Sequence, residues 1–167
     1  MVWVETERLR LIHLTQERIQ ALIESPQKLG ELLGMNVAAE WPIQDFAEVL
    51  PWLAGLMEKQ PSLCDWAGLL VHKADNALMG DMGFKSSGPD ESGMVEFGYS
   101  IAPDYRGHGY ATEMAKGLVA WALEQPGVTQ VTAECLPDNI GSIRVLEKTG
   151  LQQLALDGDM LKWEIRK

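Results

Sequence analysis

Basic residues are scarce in this chain. Fourteen lysines and arginines stand against 24 aspartates and glutamates, a formal charge of -10. That balance argues against bulk nucleic-acid binding, which needs a basic surface. It suits a cationic amine substrate and, equally, simple solubility. Cysteine is scarcer still. Cys64 and Cys135 lie far apart with no CxxC partner, so free thiols in a reducing compartment are expected. The three histidines, His13, His72 and His108, show no metal-ligand spacing. No apolar run approaches the roughly 20 residues of a membrane-spanning helix. The N-terminus, Met1-Val-Trp-Val-Glu-Thr-Glu-Arg, carries acids where a signal peptide carries a basic end and an apolar stretch. A cytoplasmic protein away from membranes is expected. Repeats, low-complexity tracts and linkers are also missing. The 167 residues, 46% hydrophobic and 23% charged, are expected to form one domain over 1–167.

What is present centres on Ile101 to Ala115. A strand-like run, Met94 to Ile101, leads into Ala-Pro-Asp-Tyr-Arg-Gly-His-Gly-Tyr-Ala-Thr. A helix pattern follows, with Ala111, Met114, Ala115, Leu118, Val119 and Ala122 on one stripe. Gly107 and Gly109 permit a backbone with positive φ or close ligand approach. The first N–H groups of a helix lack intrahelical acceptors and sit at the positive end of its dipole. With Arg106 and His108 beside them, they are expected to bind a phosphate or pyrophosphate. Gly-Lys-Ser/Thr is missing, which excludes a P-loop, and Gly107-His-Gly109-Tyr-Ala-Thr112 fails the dinucleotide fingerprint at its third glycine. Arg/Gln-x-x-Gly-x-Gly/Ala does fit, through Arg106, Gly109 and Ala111.

Along the chain, Val2 to Leu14 reads as a strand, with Leu9 and Leu11 on one face. Thr15 is expected to cap a helix that Pro26 ends, and another helical turn stops at Gly34. Asp45 opens a helix that Pro51 is expected to kink or break. Strands are expected over 66–73, 77–85 and 94–101, and the helix after the glycine turn runs to about Gln125. A strand over 128–136 follows, then a helix over 142–148 stopped by Gly150, then a hairpin around Asp157-Gly158-Asp159.

The stretch Asn139-Ile-Gly-Ser142-Ile-Arg144-Val-Leu-Glu-Lys148-Thr-Gly150-Leu151 supplies a second motif. With the loop at Arg106 to Thr112, it resembles the two CoA-binding elements of the GNAT (Gcn5-related) N-acetyltransferases. The opening Glu5-Thr-Glu-Arg-Leu9 resembles the branch containing ribosomal-protein N-terminal alanine and serine acetyltransferases. The chain departs from the pattern at Leu146, where a tyrosine is usual, and at Leu151, where phenylalanine is usual. The resemblance covers Glu5 to Trp163. It implies an α/β (α+β) fold: a mixed, mostly antiparallel twisted sheet of six or seven strands, flanked by helices. That sheet would splay between the strand ending at Ile101 and the strand starting at Val128, with acetyl-CoA in the gap. The N-terminal helices would wall the acceptor cleft.

The resemblance also implies site residues. Arg106, Gly107, His108, Gly109, Tyr110, Ala111 and Thr112 would hold the pyrophosphate, while Asn139, Ser142 and Lys148 would serve the second element. A backbone N–H among Tyr99, Ser100 and Ile101 would polarise the thioester carbonyl. Ser142 is the available acid for the leaving sulfur, since Leu146 cannot serve. The general base is expected to be Glu134, five residues before Asn139, or Glu96, which shares a strand face with Gly98 and Ser100. A water relay remains an alternative to both. The expected partners are acetyl-CoA and an amine acceptor, either a protein N-terminus or a small molecule, attacked directly. The assembly is a monomer or homodimer, and neither metal nor nucleic acid is expected. A non-catalytic acyl-CoA sensor or interaction module is the other reading.

Overall fold

A computed structural model describes residues 2–167, which form nine strands. They are β1 (Val2–Glu5), β2 (Leu9–His13), β3 (Asn36–Val37), β4 (Ala67–His72), β5 (Ala77–Phe84), β6 (Met94–Ile101), β7 (Gln130–Cys135), β8 (Gln152–Asp157) and β9 (Met160–Arg166). Five α-helices accompany them among the described residues: α1 (Gln16–Glu24), α2 (Pro26–Leu33), α3 (Gln44–Lys59), α4 (Tyr110–Leu123) and α5 (Ile140–Thr149). The sheet order is β1-β2-β4-β5-β6-β7-β9-β8, with β3 beside β5. Among the described residues only β6–β7 and β3–β5 pair in parallel.

Nine strands exceed the expected six or seven for two reasons. Val2 to Leu14 is not one strand: the Thr6 N–H donates to Leu9 O at 3.0 Å, and the turn folds β1 back on β2. The two-residue β3 is too short to show a period. Two proline expectations also change. Ser25 ends α1 and caps α2 by accepting from the Lys28 N–H, so Pro26 opens α2 at its first position. Pro51 sits within an unbroken α3. Proline removes one backbone bond there, while Leu50, Ala54 and Met57 on either side of it are buried in one cluster.

Each face of the sheet carries its own core. Leu11, Met82, Phe97, Val131 and Trp163 pack with Met114, Leu118 and Leu146 of α4 and α5. Ile12, Leu69, Val71 and Leu78 pack with Ile19, Leu22, Leu50 and Met57 of α1 and α3. The expected splay is present between them. β6 and β7 pair only at Met94↔Gln130, Val95↔Val131 and Glu96↔Thr132. Beyond that point β6 stays with β5 as far as Ile101, and β7 stays with β9 as far as Cys135. The closed end is pinned by the Gly93 carbonyl, which accepts from the N–H groups of Thr129 at 2.8 Å and Gln130 at 3.3 Å. Gly93 has φ 83°, and a Cβ there would lie 2.4 Å from Thr129 Oγ1 and 2.9 Å from Gly127 O.

Candidate active site

Beyond Ile101 a short turn carries the chain to Arg106, whose Nε donates to Ile101 O at 2.9 Å and closes the loop on itself. Gly107 and Gly109 take φ 79° and 80°, the left-handed region that favours glycine. Gly109 is the N-cap of α4, and with no side chain it makes no capping bond. The N–H groups of Tyr110, Ala111 and Thr112 therefore remain available at the positive end of the helix. Arg106 and His108 are exposed beside them. The Tyr110 side chain turns away, its hydroxyl 2.9 Å from His72 Nε2 and its ring 4.5 Å beneath the Arg8 guanidinium.

Arg8 was missed by sequence reasoning. Its Nε donates to Glu113 Oε1 at 2.7 Å, and its backbone N–H donates to Glu113 Oε2 at 2.9 Å. The Thr6 hydroxyl also donates to Oε2, at 2.6 Å. Partial burial alone would raise the Glu113 carboxyl, but these bonds hold it below its ordinary value. The β1–β2 turn is thereby fastened to the first turn of α4. The partners are 105 residues apart, beyond the reach of any local spacing.

At the fork, the two faces of the sheet differ. On the face of α1 to α3, Glu96 of β6 pairs with Lys85, and Glu134 of β7 pairs with Lys162. Lys85 Nζ bridges them, 3.5 Å from Glu134 Oε1. The Lys162 hydrogen bond, with Lys85 nearby, holds the Glu134 carboxyl below its ordinary value. On the same face Ser100 lies opposite Asp81 of β5, and its hydroxyl donates to Asp81 Oδ2, which also accepts from Trp41 Nε1 at 3.2 Å. Burial pushes the Asp81 carboxyl up to about 7 against those bonds. Its only forewarning was an acid inside the apolar run Ala77 to Phe84.

On the other face the Tyr99 hydroxyl donates to Ser142 Oγ at 3.3 Å. The Ser142 N–H donates to Asn139 Oδ1 at 3.1 Å, so Asn139 caps α5. Leu146 is buried in the core one turn on, and Lys148 is exposed in the last turn of α5, far along the helix from Ser142. The Ala102 N–H bonds to Met79 of β5. By strand alternation the backbone edges of Phe97, Tyr99 and Ile101 then face the side that β7 has left, while that of Ser100 faces β5.

Residues 8–152 match the family model described as an acetyltransferase (GNAT) domain. The chain belongs to the GNAT acetyltransferase family. It is similar to the uncharacterized N-acetyltransferase YjdG of Bacillus subtilis (strain 168), with 35% identity over 151 residues, 90% of this chain and 89% of that one. Among solved structures, a GNAT-family acetyltransferase from Bacillus anthracis superposes with TM-score 0.68 at 18% identity, covering 99% of this chain and 98% of that one. RimL, the ribosomal L7/L12 alpha-N-protein acetyltransferase solved in complex with coenzyme A, gives TM-score 0.69 at 15% identity over the same shares. These two likenesses show the fold. This GNAT acetyltransferase thus has an uncapped, glycine-led helix start at one side of an open fork. Glu96 and Glu134 lie on one face of that fork, and the Tyr99 and Ser142 hydroxyls on the other.

Proposed function

We propose that the protein transfers the acetyl group of acetyl-CoA to a primary amine, a protein N-terminus or a small-molecule amine, by direct attack. One observation carries the reading: the fork separates groups able to take a proton from groups able to give one. The residues present fit the cosubstrate. The free amides of Tyr110 to Thr112, the left-handed glycine pair and exposed Arg106 suit a pyrophosphate. The N–H groups on the open edge of β6, at Tyr99 and Ile101, suit a thioester carbonyl whose oxygen gains charge during attack.

Glu96 and Glu134 would receive the acceptor. Lys85 already holds an ammonium between these two carboxylates, which supports a cationic amine in the same place. An incoming amine displaces the half-exposed Lys85 and passes its proton to this pair, directly or through water. The lowered Glu134 carboxyl holds a cation better than it takes a proton. Ser142, on the opposite face, hydrogen-bonds to the departing sulfur. Neither cysteine is required: Cys135 is buried, and burial pushes its thiol up, away from the nucleophilic thiolate.

The test is thiol release from acetyl-CoA across a panel of peptides with free N-termini, polyamines and amino acids. Release that depends on an added amine, with the acetylated product seen by mass spectrometry, is the expected result. Tight acetyl-CoA binding without turnover on any amine would favour the sensor reading instead.

A further inference from the structure

Two hydroxyls meet on the α5 side of the fork. Tyr99 lies three residues beyond the last β6–β7 pair, and its phenol reaches Ser142 at 3.3 Å. Both ends of that contact are fixed. The Tyr99 ring stacks on Phe97 with centroids 6.5 Å apart, and Ser142 is held through its N–H by the cap of α5. One turn along α5, where the resemblance leads one to expect a phenol, Leu146 offers only hydrocarbon and is 1% exposed.

The direction of the bond matters. A serine hydroxyl has one hydrogen and two lone pairs. Ser142 Oγ uses a lone pair to accept from Tyr99, so its own hydrogen is free for a second acceptor in the fork. A chain of two hydroxyls also polarises along its length, which makes the terminal hydrogen a better donor. The groups facing the Tyr99 phenol are Ser142 from α5 and the Cys135 thiol from β7.

We propose that Tyr99 is the proton source for the departing thiolate, acting through Ser142 as its relay. The inference rests on the transferase reading above and replaces the missing phenol of α5 with one from the sheet. The amine nitrogen bonds to the carbonyl carbon and the C–S bond breaks, its electron pair going to sulfur. Before attack the ammonium gives one proton to the Glu96–Glu134 pair, and after attack the positive nitrogen gives its second proton to water, which leaves the neutral amide. Sulfur takes the Ser142 proton, Ser142 takes the Tyr99 proton, and the phenolate is reprotonated from water after CoA departs. Burial keeps the Tyr99 phenol above its ordinary value, partly opposed by its bond to Ser142, so the proton is in place before each turnover.

The experiment binds free CoA to the wild-type protein, Tyr99→Phe, Ser142→Ala and the double variant, and titrates the bound thiol by thiolate absorbance. The wild-type complex should ionise at a pH about one unit below that of Ser142→Ala, the size of a hydrogen bond to a charged group. Tyr99→Phe should fall between them, and the double variant should match Ser142→Ala because the two residues act in series. Under turnover, Tyr99→Phe should lower kcat roughly 10- to 100-fold at unchanged KM for acetyl-CoA, as expected for an interaction made mainly in the transition state. A bound thiol that titrates identically in the wild type and Tyr99→Phe overturns the proposal, as do shifts that add in the double variant. Phenylalanine keeps the ring packed on Phe97, so a purely structural role leaves the titration unmoved. If no amine is acetylated, the transferase reading fails on its own, and the titration still decides the role of Tyr99.

Discussion

Two helices begin beside the fork, and they begin differently. α5 closes its own N-terminus, since Asn139 Oδ1 accepts from the Ser142 N–H. α4 begins on Gly109 and has no side-chain cap. The fold supplies a partner to one helix start and leaves the other unsatisfied. Internally satisfied amides contribute to stability; amides left open are available to a ligand. The same contrast runs through the acids. Glu134 has two lysines, whereas buried Asp81 has only the neutral donors of Ser100 and Trp41.

The contrast is broken most completely by giving α4 a cap. Gly109→Asp places a carboxylate where the anion should sit, at φ 80°. Acetyl-CoA affinity should fall beyond 100-fold by calorimetry, roughly 3 kcal/mol or more. Unchanged affinity would mean that the loop is not the pyrophosphate site.

Asp81 comes next. Its carboxyl is raised from 3.8 to about 7 in the folded protein, so the folded state holds the proton more tightly than the unfolded chain. Its contribution is complete below pH about 4 and is lost as pH rises through about 7. Asp81→Asn should flatten that dependence and stabilise the protein at pH 8 by a few kcal/mol, because each tenfold change in proton affinity is worth about 1.4 kcal/mol. Urea denaturation at pH 5 and pH 8 measures it; an equal pH dependence in the variant and the wild type would count against a buried, titrating acid.

The third change concerns the paired acids. Glu96→Gln and Glu134→Gln should each leave acetyl-CoA binding intact. The one that serves as base should lose roughly 100-fold in rate, with a flattened acid limb in the pH profile. Two near-normal variants would favour a water relay. The smallest effect belongs to the closed helix. Asn139→Ala should cost about 1 kcal/mol of stability, seen as a lower urea midpoint, with acetyl-CoA affinity changed less than in Gly109→Asp.

These differences mark what the sequence could reveal. The glycine turn and the helix it opens were legible because their parts are contiguous: strand, Arg106, two glycines and a helical stripe, one after another along the chain. The β1–β2 turn was hidden, because Glu5-Thr-Glu-Arg8 carries no glycine or proline signal. The Thr6–Arg8–Glu113 fastening was hidden by separation along the chain. Strand parity put Tyr99 on the face opposite Glu96, but only the packing of α5 against the open fork shows that its phenol reaches Ser142. Asp81 looked like a break in an apolar strand, and its raised carboxyl follows from its burial beside Trp41.

The apex of the fork behaves like the hinge of a pair of compasses. Gly93 and Thr129 meet there, with room for a hydrogen and nothing larger. Tyr99 stands six residues along one arm, about 20 Å away at strand rise. A tilt of about 3° at the hinge moves it by about 1 Å, enough to cost a reaction on the order of 100-fold when donor and acceptor must meet. A Gly93→Ala protein with wild-type turnover would show that the arms are set elsewhere. On the proposed mechanism, the accuracy of the chemistry would be governed at a distance, by two residues at the apex of the fork.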